Sequence, residues 1–250
     1  MSTTPGAVPS EPLSEPARII NAFVAPTKTF ADLKRVSRWW VPFVIISLSS
    51  YALVFAVAQK IGFEQVTMNQ MRLAPKRMEK IEQAPPEQRQ KAIDLAVSIT
   101  KGISYTIPVF NMLYFLVVAA VLMASFNFGA GAEISFSKAL AVSVYSYLPG
   151  VIKALLAIIS IYAGVNPEGF NFQNPVATNP GALVDPASSP ALYTLASSFD
   201  LFTFWSLVLM AIGFSCVSTL KRSTTFAVVF GWWLLTVLLR TGWAALGGWC

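Results

Sequence analysis

Long apolar runs separated by short polar gaps make up most of the chain after residue 38. Each run is about as long as the ~20 apolar residues that a helix needs to cross a bilayer. The fold class predicted for residues 39–250 is therefore all-α, a polytopic membrane helical bundle. The pattern predicts five transmembrane helices, with approximate bounds 39–59, 103–128, 139–163, 198–217 and 225–246.

The N-terminal region has a different pattern. Residues 1–15 are rich in Pro and Ser and too polar to bury a core, which predicts a disordered tail. In residues 16–38, apolar side chains recur at helical spacing among Lys and Arg. This is typical of an amphipathic segment that lies in the membrane interface. A solvated linker is the alternative.

Two segments outside the apolar runs carry most of the remaining polar residues. Residues 64–101 predict a polar helical hairpin of two short helices with a turn at Pro85-Pro86. Two alternatives remain open for this hairpin. It contacts the membrane or a partner, or it forms a solvated cap on the bundle. Residues 164–190 are dense in Asn, Pro and Gly and contain no Lys or Arg, which predicts a loop with many turns.

Composition agrees with a membrane protein. The chain is 55% hydrophobic and 12% charged, whereas soluble domains carry about 25% charged residues. The net charge of +6 is explained by basic residues that flank spans, so no nucleic-acid partner is predicted. Alternation of the spans places the N-terminal region with the loops near Lys138 and Lys221. When only charges near the ends of the spans are counted, this set is the more basic one, although the hairpin on the other side is also rich in Lys and Arg. An N-terminus in the cytoplasm and a C-terminus outside follow.

Several kinds of chemistry are excluded by the residue types present. The chain has no histidine, which excludes His-based acid–base catalysis and His-bound zinc. Cys216 and Cys250 are too few for a disulfide framework or a Cys-rich metal site, and the predicted topology places them on opposite sides of the membrane. We predict no catalytic, cofactor-binding or metal site, and a protein that is not an enzyme. A Ser146–Lys153 nucleophile pair is unfavourable because the two lie ~10 Å apart along a helix.

The third predicted span contains an unusual polar stretch, YSYLPGVIK (145–153). Ser146 can hydrogen-bond a carbonyl one turn back, and Pro149-Gly150 permits a kink. Lys153 lies one turn after Pro149 and would face any cavity that the kink opens. Two interpretations remain open: polar contacts that hold helices together, or a ligand cavity at the kink.

Three ionisable residues fall inside or at the edge of the predicted spans: Lys153, Asp200 and Arg240. A charge at the centre of a span costs about 2.5–3.5 kcal/mol, so a favourable partner is expected. We hypothesise that Asp200 pairs with Lys153, Arg240 or both. In the main alternative, the two basic side chains extend to lipid headgroups and Asp200 caps its helix. A proton or ion pathway is a third interpretation.

Two short motifs resemble the Yip-domain family of five-span membrane proteins with a cytoplasmic N-terminus. Tyr145, Ser146 and Pro149 match the Tyr-Ser-x-x-Pro motif of the third span in that family. Pro26 and Phe30 match the Pro-x-x-x-Phe entry of its bacterial members. The Asp-Leu-Tyr-Gly-Pro signature of eukaryotic members is absent. The resemblance is therefore to a bacterial-type member, which implies an integral protein of the cytoplasmic (inner) membrane.

The resemblance implies a fold more than an activity, and two functions are weighed. The first is a non-enzymatic membrane-organising or adaptor (scaffold) protein. Its partners would be the lipid bilayer and either membrane proteins or further copies of the chain. The alternative is a small-solute or ion permease subunit that uses a polar site around Lys153, Asp200 and Arg240. No inverted repeat, which many transporters contain, relates the two halves.

Overall fold

The computed structural model describes residues 12–73 and 75–246, apart from the side chains of residues 75–77 and 80. Within these residues the regular elements are all helical, which confirms the predicted fold class. Most of the predicted disordered tail lies outside the described residues, and so does Cys250. The disorder of the tail and the location of Cys216 and Cys250 on opposite sides of the membrane therefore stay predictions.

The chain begins with two short helices, α1 (Glu15–Val24) and α2 (Pro26–Leu33). The first long segment of the bundle is α3 (Trp40–Lys60). The polar helices that follow are α4 (Phe63–Arg72), α5 (Pro75–Glu82) and α6 (Pro86–Tyr105). The second and third long segments contain α7 (Ile107–Ala124), α8 (Phe136–Ser146) and α9 (Pro149–Tyr162). A π-helical turn at Ser125–Gly129 extends α7, and α8 and α9 form the third segment. The chain ends with α10 (Pro190–Ser198), α11 (Leu201–Val217) and α12 (Arg222–Ala245).

Four helical segments are long and apolar enough to cross a membrane: Trp40–Lys60, Ile107–Gly129, Phe136–Tyr162 and Arg222–Ala245. A fifth span exists if α10 and α11, which are bent by 48°, act as one. The 17 residues of α11 measure only ~26 Å at 1.5 Å per residue, less than the ~30 Å hydrocarbon core. The predicted fourth span, which starts at 198, therefore omits the helix that precedes the bend.

The polar segment after the first span contains three helices, α4, α5 and the first part of α6, where the sequence predicts two. The extra division falls before Pro75, a residue that begins a helix easily but cannot continue one. Asn69 of α4 donates hydrogen bonds to the carbonyl oxygens of Pro167 (2.7 Å) and Phe170 (2.9 Å). The polar helices and the Asn/Pro-rich loop thus meet at one end of the bundle, which we call the loop end.

The opposite end of the bundle, here called the N-terminal end, is covered by α1 and α2. Phe30 and Leu33 of α2 are fully buried in the same core as α8 and α11. A Cβ atom on Gly213 of α11 would lie 2.9 Å from the Phe30 ring and 2.6 Å from Val142. Glycine at this position therefore lets α2 approach α11 closely. Burying a Phe side chain contributes about 1.5–3 kcal/mol, so α2 is an integral part of the bundle.

Candidate functional site

A group of three charged side chains and one tyrosine joins the N-terminal helices to the third span. We call it the N-terminal cluster: Glu15, Arg18, Asp32 and Tyr145. The Arg18 guanidinium donates from Nε to Asp32 Oδ2 (2.5 Å) and from Nη1 to Glu15 Oε1 (2.9 Å). The Tyr145 hydroxyl donates to Glu15 Oε2 (3.1 Å). Every charge in this cluster that is buried has an oppositely charged partner.

Arg18 is 1% exposed, which would be costly for an unpaired cation. Burial acts to lower the pKa of its guanidinium, but the bonds to Asp32 and the charge of Glu15 raise that pKa above its usual value overall. The Thr29 hydroxyl also donates to the Arg18 carbonyl (2.7 Å), which fixes α2 against α1. The contacts of the cluster therefore hold α1 and α2 together while Arg18, Asp32 and Glu15 are charged.

The motif residues predicted from sequence take part in this arrangement. Tyr145 is fully buried, and a helical side chain leans toward the N-terminus of its helix, here toward Glu15. Pro26 is the first residue of α2 and places Phe30 one turn later, facing the core. The role of Arg18, Asp32 and Glu15 was not predicted. Their only sequence signal is a pair of opposite charges on an amphipathic segment, which is common on solvated helices.

Ser146 and Pro149 create the expected break in the third span. The Ser146 hydroxyl donates to the Val142 carbonyl (2.7 Å), one turn back, as the sequence predicts. Helix α8 ends at Ser146, and α9 begins at Pro149, whose nitrogen has no proton to donate. In this arrangement the Ser146 hydroxyl bonds to Val142 and the Lys153 ammonium bonds to Asp200.

A cavity of about 720 Å³ lies beside this break, between α7, α9, α11 and α12 at the loop end. Tyr147, Gly150 and Lys153 line it from the third span. A Cβ atom on Gly150 would meet no heavy atom within 4 Å, because that position faces open space. A cavity is thus present beside the break. Tyr145, which bonds to Glu15 of α1, makes a polar contact between helices, whereas the Ser146 bond stays within α8.

Asp200 forms the centre of a second charged group, the loop-end cluster: Lys153, Asp200 and Arg240. Lys153 Nζ lies 3.0 Å from Asp200 Oδ2, which confirms the hypothesised pairing of these two residues. The same carboxylate caps α11, because its Oδ1 accepts from the backbone N–H groups of Phe202 and Thr203 (both 3.1 Å). Ion pair and helix cap, which sequence reasoning treats as alternatives, therefore occur together.

The polar loop before α10 completes the surroundings of Asp200, which is 3% exposed. The Thr178 hydroxyl donates to Oδ2, and Asn179 Nδ2 lies 3.5 Å from the same oxygen. Thr178 and Asn179 carry no charge, so the loop adds polar contacts to the oxygen that also pairs with Lys153. This contribution of the Asn/Pro-rich loop was not predicted, since turn signals give no information on what a loop touches.

Arg240 differs from the other two members of the loop-end cluster. It lines the same cavity and is exposed. Among the described residues, no carboxylate lies within salt-bridge distance of its guanidinium. Of the pairings allowed by the hypothesis (Lys153, Arg240 or both), the structure therefore shows the one with Lys153. The reason is geometric: Asp200 already accepts from two backbone groups, Lys153 and Thr178. The described lining of the cavity thus contains two cations and one anion.

The cavity is bounded toward the N-terminal end by packed aromatic and polar contacts. Trp232 of α12 donates from Nε1 to the hydroxyl of Ser125 in the π-helical turn (2.8 Å). Beyond this level the rings of Phe126 and Phe214 lie 4.7 Å apart, and both side chains are fully buried. The cavity is therefore confined to the loop end and the middle of the bundle.

These features define the class of protein: a polytopic helical membrane protein whose N-terminal helices are built into the bundle and whose third span is broken at a Tyr-Ser-x-x-Pro motif. The chain matches the model of the Yip1 domain family over residues 20–244, and it belongs to that family. Comparisons with curated proteins and with solved structures find no match.

Proposed function

We propose that this protein is a non-enzymatic membrane-organising or adaptor protein of the Yip-domain type, and that α1 and α2 form its working surface. Membership of the Yip1 domain family supports a membrane protein of this kind. The observation that carries the proposal is the N-terminal cluster, which holds α1 and α2 rigidly on the bundle through Arg18, Asp32, Glu15 and Tyr145.

The outer surface of α1 and α2 has the character of a membrane or partner contact. Ile20 and Val24, one turn apart on α1, are 61% and 74% exposed. The neighbouring basic side chains Lys28, Lys34 and Arg38 are exposed as well. Exposed apolar residues beside lysine and arginine are suited to anionic headgroups or to an acidic partner surface. Such a surface works only if it has a fixed orientation, which the buried charges supply.

The proposed topology places this surface in the bacterial cytoplasm, at the inner membrane. The N-terminal end carries the basic loop residues Lys138, Lys221 and Arg222 close to the ends of spans. At the opposite end, the Asn/Pro-rich loop carries Glu168 and Asp185, and the polar helices α4 to α6 carry both basic and acidic residues. Basic residues accumulate on the cytoplasmic side of membrane proteins. The N-terminus is therefore proposed to be cytoplasmic and the C-terminus external.

The permease alternative would use the cavity at the loop end. A conducting path needs an opening toward both sides of the membrane. Toward the N-terminal end, the rings of Phe126 and Phe214 are packed 4.7 Å apart and fully buried. This packing disfavours a continuous path, and the adaptor proposal is preferred.

Site-specific photocrosslinking in native membranes tests the proposal. A photoreactive residue at Val24, on the exposed face of α1, should capture a discrete protein partner or headgroup adducts. Leu238 on α12 is 59% exposed and serves as the matched control, which should give only acyl-chain adducts. Arg18→Met, which breaks the ion pair between α1 and α2, should reduce the Val24 adducts.

The adaptor proposal is rejected if Val24 and Leu238 give the same adducts. It is also rejected if reconstituted vesicles show solute flux that Lys153→Ala abolishes, because that result is expected of a permease.

A further inference from the structure

The cavity at the loop end has an apolar wall and a polar rim. Val117 and Val121 of α7 and Val237 of α12 line the wall, whereas Asn174 and Asn179 of the loop line the rim. An occupant that is complementary to both must carry an apolar chain and a polar group. The volume of about 720 Å³ is within the range of about 300–1,000 Å³ that is usual for ligand sites.

The charges at the rim select an anion. Lys153 is neutralised by Asp200 at 3.0 Å. Arg240 lines the cavity and has no carboxylate partner among the described residues. A guanidinium presents a planar set of donors that matches a phosphate with two parallel hydrogen bonds. The unmatched positive charge is thus complementary to a phosphate group.

The entrance of the cavity faces the side of the bundle. Three of the lining residues are also well exposed: Val117 (61%), Trp243 (56%) and Tyr114 (46%). They belong to α7 and α12, two helices long and apolar enough to span the membrane, so the gap between them opens toward the surrounding lipid. Tyr114 and Trp243 combine apolar rings with a polar group, as is common near headgroups.

We propose that this cavity binds one anionic phospholipid of the surrounding bilayer, with its phosphate at Arg240 and an acyl chain along the valine wall. The site goes beyond the proposed function and does not depend on it, because it uses the opposite end of the bundle from α1 and α2.

Lipid titration of the purified full chain, followed by native mass spectrometry, tests this proposal. The probes are phosphatidylglycerol and phosphatidylcholine with identical acyl chains. The wild-type protein should retain one phosphatidylglycerol in preference to phosphatidylcholine. Arg240→Gln should weaken phosphatidylglycerol binding about tenfold, which equals about 1.4 kcal/mol, and should leave phosphatidylcholine binding nearly unchanged. Arg240→Lys keeps the charge and should retain most of the preference.

Two matched controls separate the cavity from general surface effects. Arg222→Gln removes the same charge from the other end of α12, where Arg222 is exposed, and should not change the preference. Gly150→Leu places a side chain in the cavity and should weaken binding of both lipids. Gly231→Leu adds the same side chain where a Cβ atom also meets nothing within 4 Å, outside the cavity lining, and should have no effect.

Four results would overturn the proposal. The first is equal retention of the two lipids by the wild-type protein. The second is equal loss of phosphatidylglycerol in Arg240→Gln and Arg222→Gln. The third is unchanged binding in Gly150→Leu, which also decides the matter if Arg240→Gln does not fold. The fourth is stabilisation by inorganic phosphate alone that depends on Arg240, since that identifies a site for a soluble anion.

Discussion

The N-terminal cluster and the loop-end cluster each bring acids and bases together inside an apolar bundle, but they differ in how completely their charges are paired. In the first, Arg18 is 1% exposed and bonds to two carboxylates. In the second, Asp200 is just as buried, yet Arg240 has no acidic partner among the described residues and faces a cavity. A fully paired group fixes helices in place, whereas an unmatched charge beside open space is available to a ligand.

The largest effect is expected from Arg18→Met, which would break the fully paired cluster. Removal of one partner from a buried ion pair costs about 3–5 kcal/mol because the other charge stays buried. Here the Asp32 carboxylate, 7% exposed, would lose its guanidinium. The thermal unfolding midpoint of the detergent-solubilised protein should fall strongly.

The double variant Arg18→Met/Asp32→Leu is the control for Arg18→Met. It removes both charges and should recover much of the lost stability. Equal stability of wild type and Arg18→Met would contradict the locking role given to this cluster.

A smaller loss is expected for Gly213→Ala, which tests the close approach of α2 to α11. The added methyl group would lie within 3 Å of both Phe30 and Val142. Overpacking of this kind typically costs about 1–3 kcal/mol. Gly231→Ala, in open space on α12, should not destabilise the protein. Gly213→Ala combined with Phe30→Leu should lose less than the sum of the single variants in a double-mutant cycle, and strict additivity would contradict the contact.

Asp200→Asn separates the helix cap from the ion pair in the loop-end cluster. Asn is as good an N-cap as Asp, so the cap through Oδ1 is kept. The charge and the contacts that Oδ2 makes with Lys153 and Thr178 are lost, at a cost of about 1.5 kcal/mol. Asp200→Ala loses both the helix cap and the ion pair and should be clearly less stable than Asp200→Asn. Chemical denaturation of the purified variants measures the difference. Unchanged stability of Asp200→Asn would remove the support for a stabilising ion pair.

The smallest change in stability is expected for Arg240→Gln, which completes the comparison. An exposed side chain that forms no ion pair with the described residues should change the unfolding free energy by no more than about 0.5 kcal/mol. Without added anionic lipid, the unfolding midpoints of this variant and the wild type should therefore nearly coincide. A loss as large as that of Arg18→Met would mean that Arg240 is structural, like the charges at the opposite end.

Much of the architecture is predictable because hydropathy and proline act locally. The apolar runs give the all-helical bundle and its spans, and Pro149 with Ser146 gives the break in the third span. The family follows from two short motifs and is confirmed over residues 20–244. The bend between α10 and α11 was missed because Asp200, as a helix cap, ends one helix and starts another inside an otherwise apolar region.

The sequence by itself determined which segments are apolar enough for the membrane and where a helix must break, because these properties depend on neighbouring residues. Only the tertiary structure decided which charges meet. Tyr145 reaches Glu15 across 130 positions, and Lys153 reaches Asp200 across 47. A charge in an apolar run implies some partner, but its identity depends on how distant helices pack. The same packing leaves Arg240 beside a cavity, since Asp200, the acid of the described lining, is already paired with Lys153.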